Sequence, residues 1–244
     1  METRTNTRPQ PQSATPRHDM YAGVHKGLRA FMGDTLAVVG RMDPADEHDV
    51  AAGLGQARSL LAICASHLEH ENRFVHAAME ARRPGSSART GEDHVGHEEA
   101  IDELTAEIGA VERATGPARA TAAHRLYLRL ATFVAENLVH MHVEETENNA
   151  VLWACYTDAE LQAIEGALVA SIPPPEMGAV LRWMIPAMSH AARVGMLSGM
   201  RQNAPAEVFD GVLALTRAHV SARDWAKLAD ALCIEAGARF TVDA

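Results

Sequence analysis

The chain has 244 residues, a formal net charge of -10, 47% hydrophobic residues and only 5% aromatics. That length allows a sizeable core, and a composition rich in Ala and Leu but poor in aromatics favours helices packed on helices. The acidic balance repels phosphate backbones and anionic lipid headgroups, which argues against nucleic acid and membranes as partners.

Residues 1–16 are polar and Pro-rich with no apolar signal core, and they read as a disordered tail. No apolar run approaches a membrane span, so the expected location is cytoplasmic. Four long helical patterns follow, at about 17–41, 46–82, 92–114 and 118–154. They are separated by the Pro44 region, the stretch Arg83–Gly91, Gly116-Pro117 and Tyr156–Asp158. Thr157 and Glu160 form a capping box that starts a fifth helix running to about Ser171. Beyond Pro173-Pro174-Pro175 the text stays helical, with Pro205 suited to a first turn and Ser221–Asp224 to another helix start. The predicted fold is all-α. Residues 17–155 form an antiparallel up-down four-helix bundle, and residues 156–244 a smaller C-terminal helical extension. Cys64, Cys155 and Cys233 are far apart and no CxxC occurs, which excludes a disulfide framework or a thiolate zinc site. Cys64 and Cys155 fall in apolar helical settings and read as buried thiols.

The thirteen histidines set the functional question. His67 and Glu71 are four apart on the second helix, on the face of Leu60, Ile63, Cys64, Phe74 and Ala78. A histidine and a carboxylate on an apolar face are costly to bury unless something binds them. The fourth helix repeats this with His140 and Glu144, in phase with Leu126, Phe133 and Val151. His97 leads Ile101, Leu104, Ile108 and Val111, and His25 leads Leu28, Met32, Leu36 and Val39. Two further H-x-x-x-E pairs are sorted out by helical phase. His76 lies half a turn from His67, so His76/Glu80 reads as a solvated surface pair, and Glu98, beside His97, points sideways.

The six residues are tied together by a repeat. His25 to His97 is 72 residues, and both His67 to His140 and Glu71 to Glu144 are 73. Two halves packed antiparallel bring one His and one H-x-x-x-E from each side into a central two-metal site. Histidine and carboxylate donors without thiolate suit iron, manganese or zinc.

The pattern His25-Lys-Gly-Leu-Arg, His67-Leu-Glu-His-Glu71, His97-Glu-Glu and His140-Met-His-Val-Glu-Glu145 resembles the hemerythrin-like (HHE cation-binding) domain over about residues 17–152. The resemblance implies two iron ions in an oxo- or hydroxo-bridged centre. His25 and His67 would hold one iron, His97 and His140 the other, and Glu71 and Glu144 would bridge. Ferritin-like sites use E-x-x-H, which does not occur in this chain. Two departures separate the chain from the oxygen-carrying members. Ile101 stands where they have a second histidine on the third helix, and Glu144 is four residues past His140 where they place an aspartate five past. The pattern is closer to bacterial regulatory or peroxide-handling members and to iron-sensing F-box relatives.

Tyr21, His70, His94, Glu136 and Glu147 are candidates for positions around the metals or for extra ligation. His18, His48, His124, His142, His190 and His219 read as surface or ordinary packing residues. The Met-rich extension (Met177, Met184, Met188, Met196, Met200) reads as core packing, with docking of a partner helix as the alternative. Arg193, Arg201, Arg217 and Arg223 suggest a small basic patch. Three functional readings follow. One is a protein that binds or senses oxygen, peroxide or nitric oxide; another is an oxidoreductase that turns over peroxide or nitric oxide; the last is a regulatory interaction module whose folding depends on metal.

Overall fold

The computed structural model describes residues 17–235, and all its regular elements are helical. The tail predicted at 1–16 and the last residues of the extension, 236–244, lie outside the described residues. In chain order the elements are α1 (Ala22–Arg41), α2 (Glu47–His70), a first π turn (Glu71–His76), α3 (Ala77–Arg82), α4 (Ala88–Arg113) and α5 (Gly116–Val143). A second π turn (Glu144–Asn148) then leads into α6 (Asn149–Cys155), α7 (Asp158–Ser171), α8 (Pro174–Ala187), α9 (His190–Asn203), α10 (Ala206–His219) and α11 (Ala222–Ala231). No helix among the described residues is long and apolar enough to cross a membrane.

The helix ends follow local chemistry. Asp46 caps α2 by accepting from the backbone N–H groups of His48 and Asp49. Gly116, at φ +53°, opens α5 directly ahead of Pro117. The Thr157–Glu160 capping box forms as expected. Helix α1 begins later than the predicted 17, because Asp19 turns its side chain to the N–H groups of Tyr21 and Ala22. Helix α4 begins earlier than the predicted 92, because Glu80 ties down Gly85 and Ser87 and confines the break to 83–87.

Helices α1, α2, α4 and α5 surround one apolar core that includes Leu28, Leu60, Leu104, Leu126 and Phe133. Cross-helix pairs fix their register: Gln56 with Asp34, Arg58 with Glu112, Arg125 with Glu107, and Arg29 with Glu145. Cys64 is buried in this core, where burial pushes its thiol up to about 12, whereas Cys155 is only half-buried.

The π turns change which residues face inward. A π turn carries about one extra residue and sets back the helical phase by about 100°. Past Glu71, therefore, Val75, His76 and Met79 are buried while Phe74 and Ala78 are only half-buried. Past Glu144, Asn148 and Leu152 are buried while Glu147 is exposed. Val75, Met79 and Leu152 join Tyr21 and Leu161 in a second core at this end of the helices.

The extension is regular in a way its composition hides. Helices α7 to α11 start at 158, 174, 190, 206 and 222, each sixteen residues after the last, with two residues between neighbours. The residues before them are Thr157, Pro173, Ser189, Pro205 and Ser221, so side-chain caps alternate with prolines. Pro205 thus precedes the first turn instead of sitting in it. A third core, including Ile185, Leu197, Leu213 and Leu228, holds α8 to α11 together. The extension docks through α7, whose Leu161 joins the second core, and through α8, whose Trp183 stacks on Phe31 of α1 with centroids 4.2 Å apart. Two of the four arginines weighed for a basic patch, Arg193 and Arg201, are engaged with backbone carbonyls. Arg193 is buried and donates to the carbonyls of Ile185 and Pro186, and Arg201 donates to that of Leu232.

Candidate metal centre

Two groups of donors meet where the π turns begin. One is His25, His67, Glu71 and Glu144; the other is Glu71, His94, His140 and Glu144. The two glutamates belong to both groups. Glu71 points Oε1 at His67 Nε2 (3.2 Å) and His25 Nε2 (3.6 Å), and Oε2 at His94 Nε2 (3.5 Å). Glu144 points Oε2 at His25 Nε2 (3.4 Å), and Oε1 at His140 Nε2 (3.3 Å) and His94 Nε2 (3.6 Å). Two ligands about 2.1 Å from one ion at tetrahedral or octahedral angles lie about 3.0–3.4 Å apart. The observed separations, 3.2–3.6 Å, lie at or slightly above that spacing.

Apart from His94 Nε2 and His140 Nε2, which lie 3.1 Å apart, these atoms lack hydrogen-bond partners. Nine buried side-chain polar atoms among the described residues have no hydrogen bond; seven belong to His25, His67, Glu71, His97 and Glu144. Ser86 Oγ and His190 Nδ1 are the other two. Leaving so many buried polar atoms unsatisfied in one place would cost several kcal/mol in total, at about 1–3 kcal/mol each, unless they bind something.

The electrostatics suit cations. Burial, and then the neighbouring Glu144 charge, raise Glu71 to about 8. Burial also opposes ionisation of Glu144, but the close imidazoles of His140 and His94, together with His25, outweigh it and hold that carboxyl well below the usual range. Burial opposes protonation of His25, but Glu145, Glu71 and Glu144 outweigh it and raise the imidazole to about 9. Burial, reinforced by His25, lowers His67 to about 3, and burial with His140 lowers His97 to about 4. His67 and His97 therefore stay neutral near pH 7 and keep a free lone pair.

Five of the six predicted residues lie in the two donor groups. The sixth, His97, is 5% exposed and packs edge-on against His140 at 4.8 Å between centroids, but it is outside both groups. His94, expected around the site, has its Nε2 among the donors instead, 3.1 Å from His140 Nε2. His94 and His97 are about 60° apart around α4, so both flank its inward face. A hydrogen bond between His94 Nδ1 and Asn72 Oδ1 (2.8 Å) fixes the first ring. Ile101 packs against the apolar core, and the histidines of the two donor groups number four: His25, His67, His94 and His140.

The groups behind the rings differ from those expected. Glu136 and Glu147 are exposed, and Glu147 pairs with Arg89 outside the site. The second π turn carries Glu147 outward and Asn148 inward. The ring supports are Glu145, whose Oε1 is 3.2 Å from His25 Nδ1, and Asp93, whose Oδ2 is 3.3 Å from His140 Nδ1. Arg29 holds Glu145 with two bonds of 2.6 and 2.9 Å. Carboxylates behind ligating imidazoles set their tautomer and basicity. The sequence signals were present: Arg29 is four residues past His25, and Glu145 adjoins Glu144.

Tyr21 is buried with its ring 5.0 Å from that of His25, and its hydroxyl accepts from Asn148. Burial and the two carboxylates raise its phenol well above 10. His70 bonds to the Ser66 carbonyl and stays outside the donor groups. His76 is not a surface residue. It is buried, bonds Thr90 and stacks on His94 at 4.7 Å, because the π turn brings it round. Of the histidines read as partnerless, His18 bonds Glu165 at 2.9 Å and His219 bonds the Leu215 carbonyl, while His48, His124 and His142 are exposed. No family model, curated protein or solved structure matches the chain.

Proposed function

We propose that the chain is a hemerythrin-like, non-haem di-iron protein that binds or senses a small oxidant, either oxygen, peroxide or nitric oxide. The observation that carries this reading is the sharing of Glu71 and Glu144 between two donor groups, with one oxygen of each turned to either side and no hydrogen bond to any of the four. Two ions held side by side need that arrangement, and a single ion does not. The cross-helix pairs support an antiparallel up-down four-helix bundle as the scaffold, with His25 on one rod opposite His67 on the next and Asp93 opposite His140.

On this reading His25 and His67 would hold one ion and His94 and His140 the other, Glu71 and Glu144 would be shared between them, and His97 packs beside His140. When bound, the iron pair supplies redox-active positions at which a small oxidant can coordinate. The chain's own residues orient and insulate. Glu145, Arg29 and Asp93 hold the imidazole planes, Asn72 holds His94, and the buried Tyr21 hydroxyl faces the carboxylates. Manganese and zinc suit the same donors.

The test is metal analysis and a near-ultraviolet spectrum of the air-oxidised protein. About two iron ions per chain and an absorption band altered by peroxide or nitric oxide are expected, both abolished in the His67→Ala/Glu71→Ala double variant. A chain without iron, or a spectrum unmoved by that variant, overturns the reading. Steady peroxide consumption beyond one equivalent per site would make the protein an enzyme.

A further inference from the structure

A cavity of about 550 Å³ lies between α1, α2 and the extension. Leu168, Ile172, Met177, Val180, Met184 and Met188 line it from the extension, and Tyr21, Val24, Ile63 and Val75 from the bundle side. Its volume is in the range that encloses a small organic ligand. Methionine walls adapt to the shape of an apolar guest.

The cavity reaches two metal donors, His67 and Glu71. The His67 side chain is 14% exposed, whereas those of His25 and Glu144 are 0% exposed. Glu71 is 3% exposed, and neither of its oxygens has a hydrogen-bond partner. Most other polar side chains on the wall are spent on one another. His18 bonds Glu165, Ser66 donates to Glu176, and His70 bonds the Ser66 carbonyl. An occupant therefore meets both the apolar wall and the His67 and Glu71 donors. A diatomic oxidant or peroxide would leave most of this volume unfilled.

We propose that the cavity binds an alkyl-chain molecule with an oxygen-donor head group, its chain against the methionine wall and its head at His67 and Glu71. The placement of the head rests on the di-metal reading above; the occupancy of the cavity by an alkyl chain does not.

Two measurements on the full chain test this. In the first, decanoate is titrated calorimetrically into metal-free protein. Saturable binding is expected, weakened roughly tenfold or more by Val180→Trp or Met188→Trp and unchanged by Val208→Trp on an exposed face of α10. Where an indole displaces the extension, seen as a lowered Tm, Met177→Gln and Met188→Gln read the same wall through polarity. No saturable binding by the parent, or equal binding by the cavity variants, overturns the proposal. In the second, metal-loaded protein is titrated with decanohydroxamate and acetohydroxamate while the near-ultraviolet band is followed. The long chain is expected to bind roughly tenfold or more tightly. Equal affinity for the two probes overturns the link between cavity and metals. A chain that binds decanoate but takes up no metal upholds the cavity ligand and overturns the placement of its head.

Discussion

A Cβ on Gly27 would stand 2.8 Å from the Cα of Met184 and 2.9 Å from its backbone nitrogen. The extension therefore meets α1 backbone to backbone, with no side chain able to yield. Gly27→Ala should lower stability by about 1–3 kcal/mol, despite the higher helix propensity of alanine. Gly33 lies on the same helix with nothing within 4 Å, and Gly33→Ala should stabilise by roughly 0.5–1 kcal/mol. Urea denaturation midpoints read both. A Gly27→Ala protein as stable as the parent would refute the close approach of α8.

His94 and His97 have separable roles. His94→Ala should reduce metal content from about two ions per chain to about one, because its Nε2 faces both glutamates. His97→Ala should leave both ions in place, since that ring packs against His140 and Phe133 and lies outside both donor groups. Elemental analysis of the two variants decides it, and the reverse outcome would make His97 the ligand.

On the di-metal reading, Glu145 would act on the metal through His25, whose Nδ1 lies 3.2 Å from its Oε1. Its carboxylate is held near pH 2 by hydrogen bonding to His25 and by Arg29, so it stays charged behind the ring. Glu145→Gln should weaken the His25/His67 ion by roughly 10–100-fold while sparing its neighbour. Competition with a chelator would then resolve two affinities. Uniform weakening of both ions would contradict the assignment.

The acid side of the stability profile should reflect Glu80. Its bonds from Gly85 and Ser87 lower it to about 2, and the unfolded value is near 4.5. Between those values the unfolded chain binds more protons, so stability is complete above about pH 4.5 and falls as pH drops through 2. In Glu80→Gln the deficit relative to the parent should shrink as pH falls across that window. Circular dichroism melts at several pH values would show it, and a deficit independent of pH would count against the capping role.

Much was legible from periodicity. The helices fall close to where apolar spacing and breakers put them, and five of the six donors follow from phase on unbroken helices. What the spacing hid lies past the two glutamates. Nothing in Glu71–His76 or Glu144–Asn148 announces a π turn, because the extra residue is a property of the backbone and not of composition. That one slip explains why His76 is buried, why Glu147 is outside and why Asn148 is inside. His94 was ambiguous for a different reason, since two histidines three apart flank one face and only the orientation of α4 chooses between them.

The π turns also divide each long rod into two reading frames. Before them, apolar positions keep step with the core shared by α1, α2, α4 and α5; after them, they keep step with Tyr21 and Leu161, and so with the extension. The donors sit at the seam. A shift in either frame must pass through Glu71 or Glu144, so the setting of the two donor groups and the seating of the extension are geared to each other.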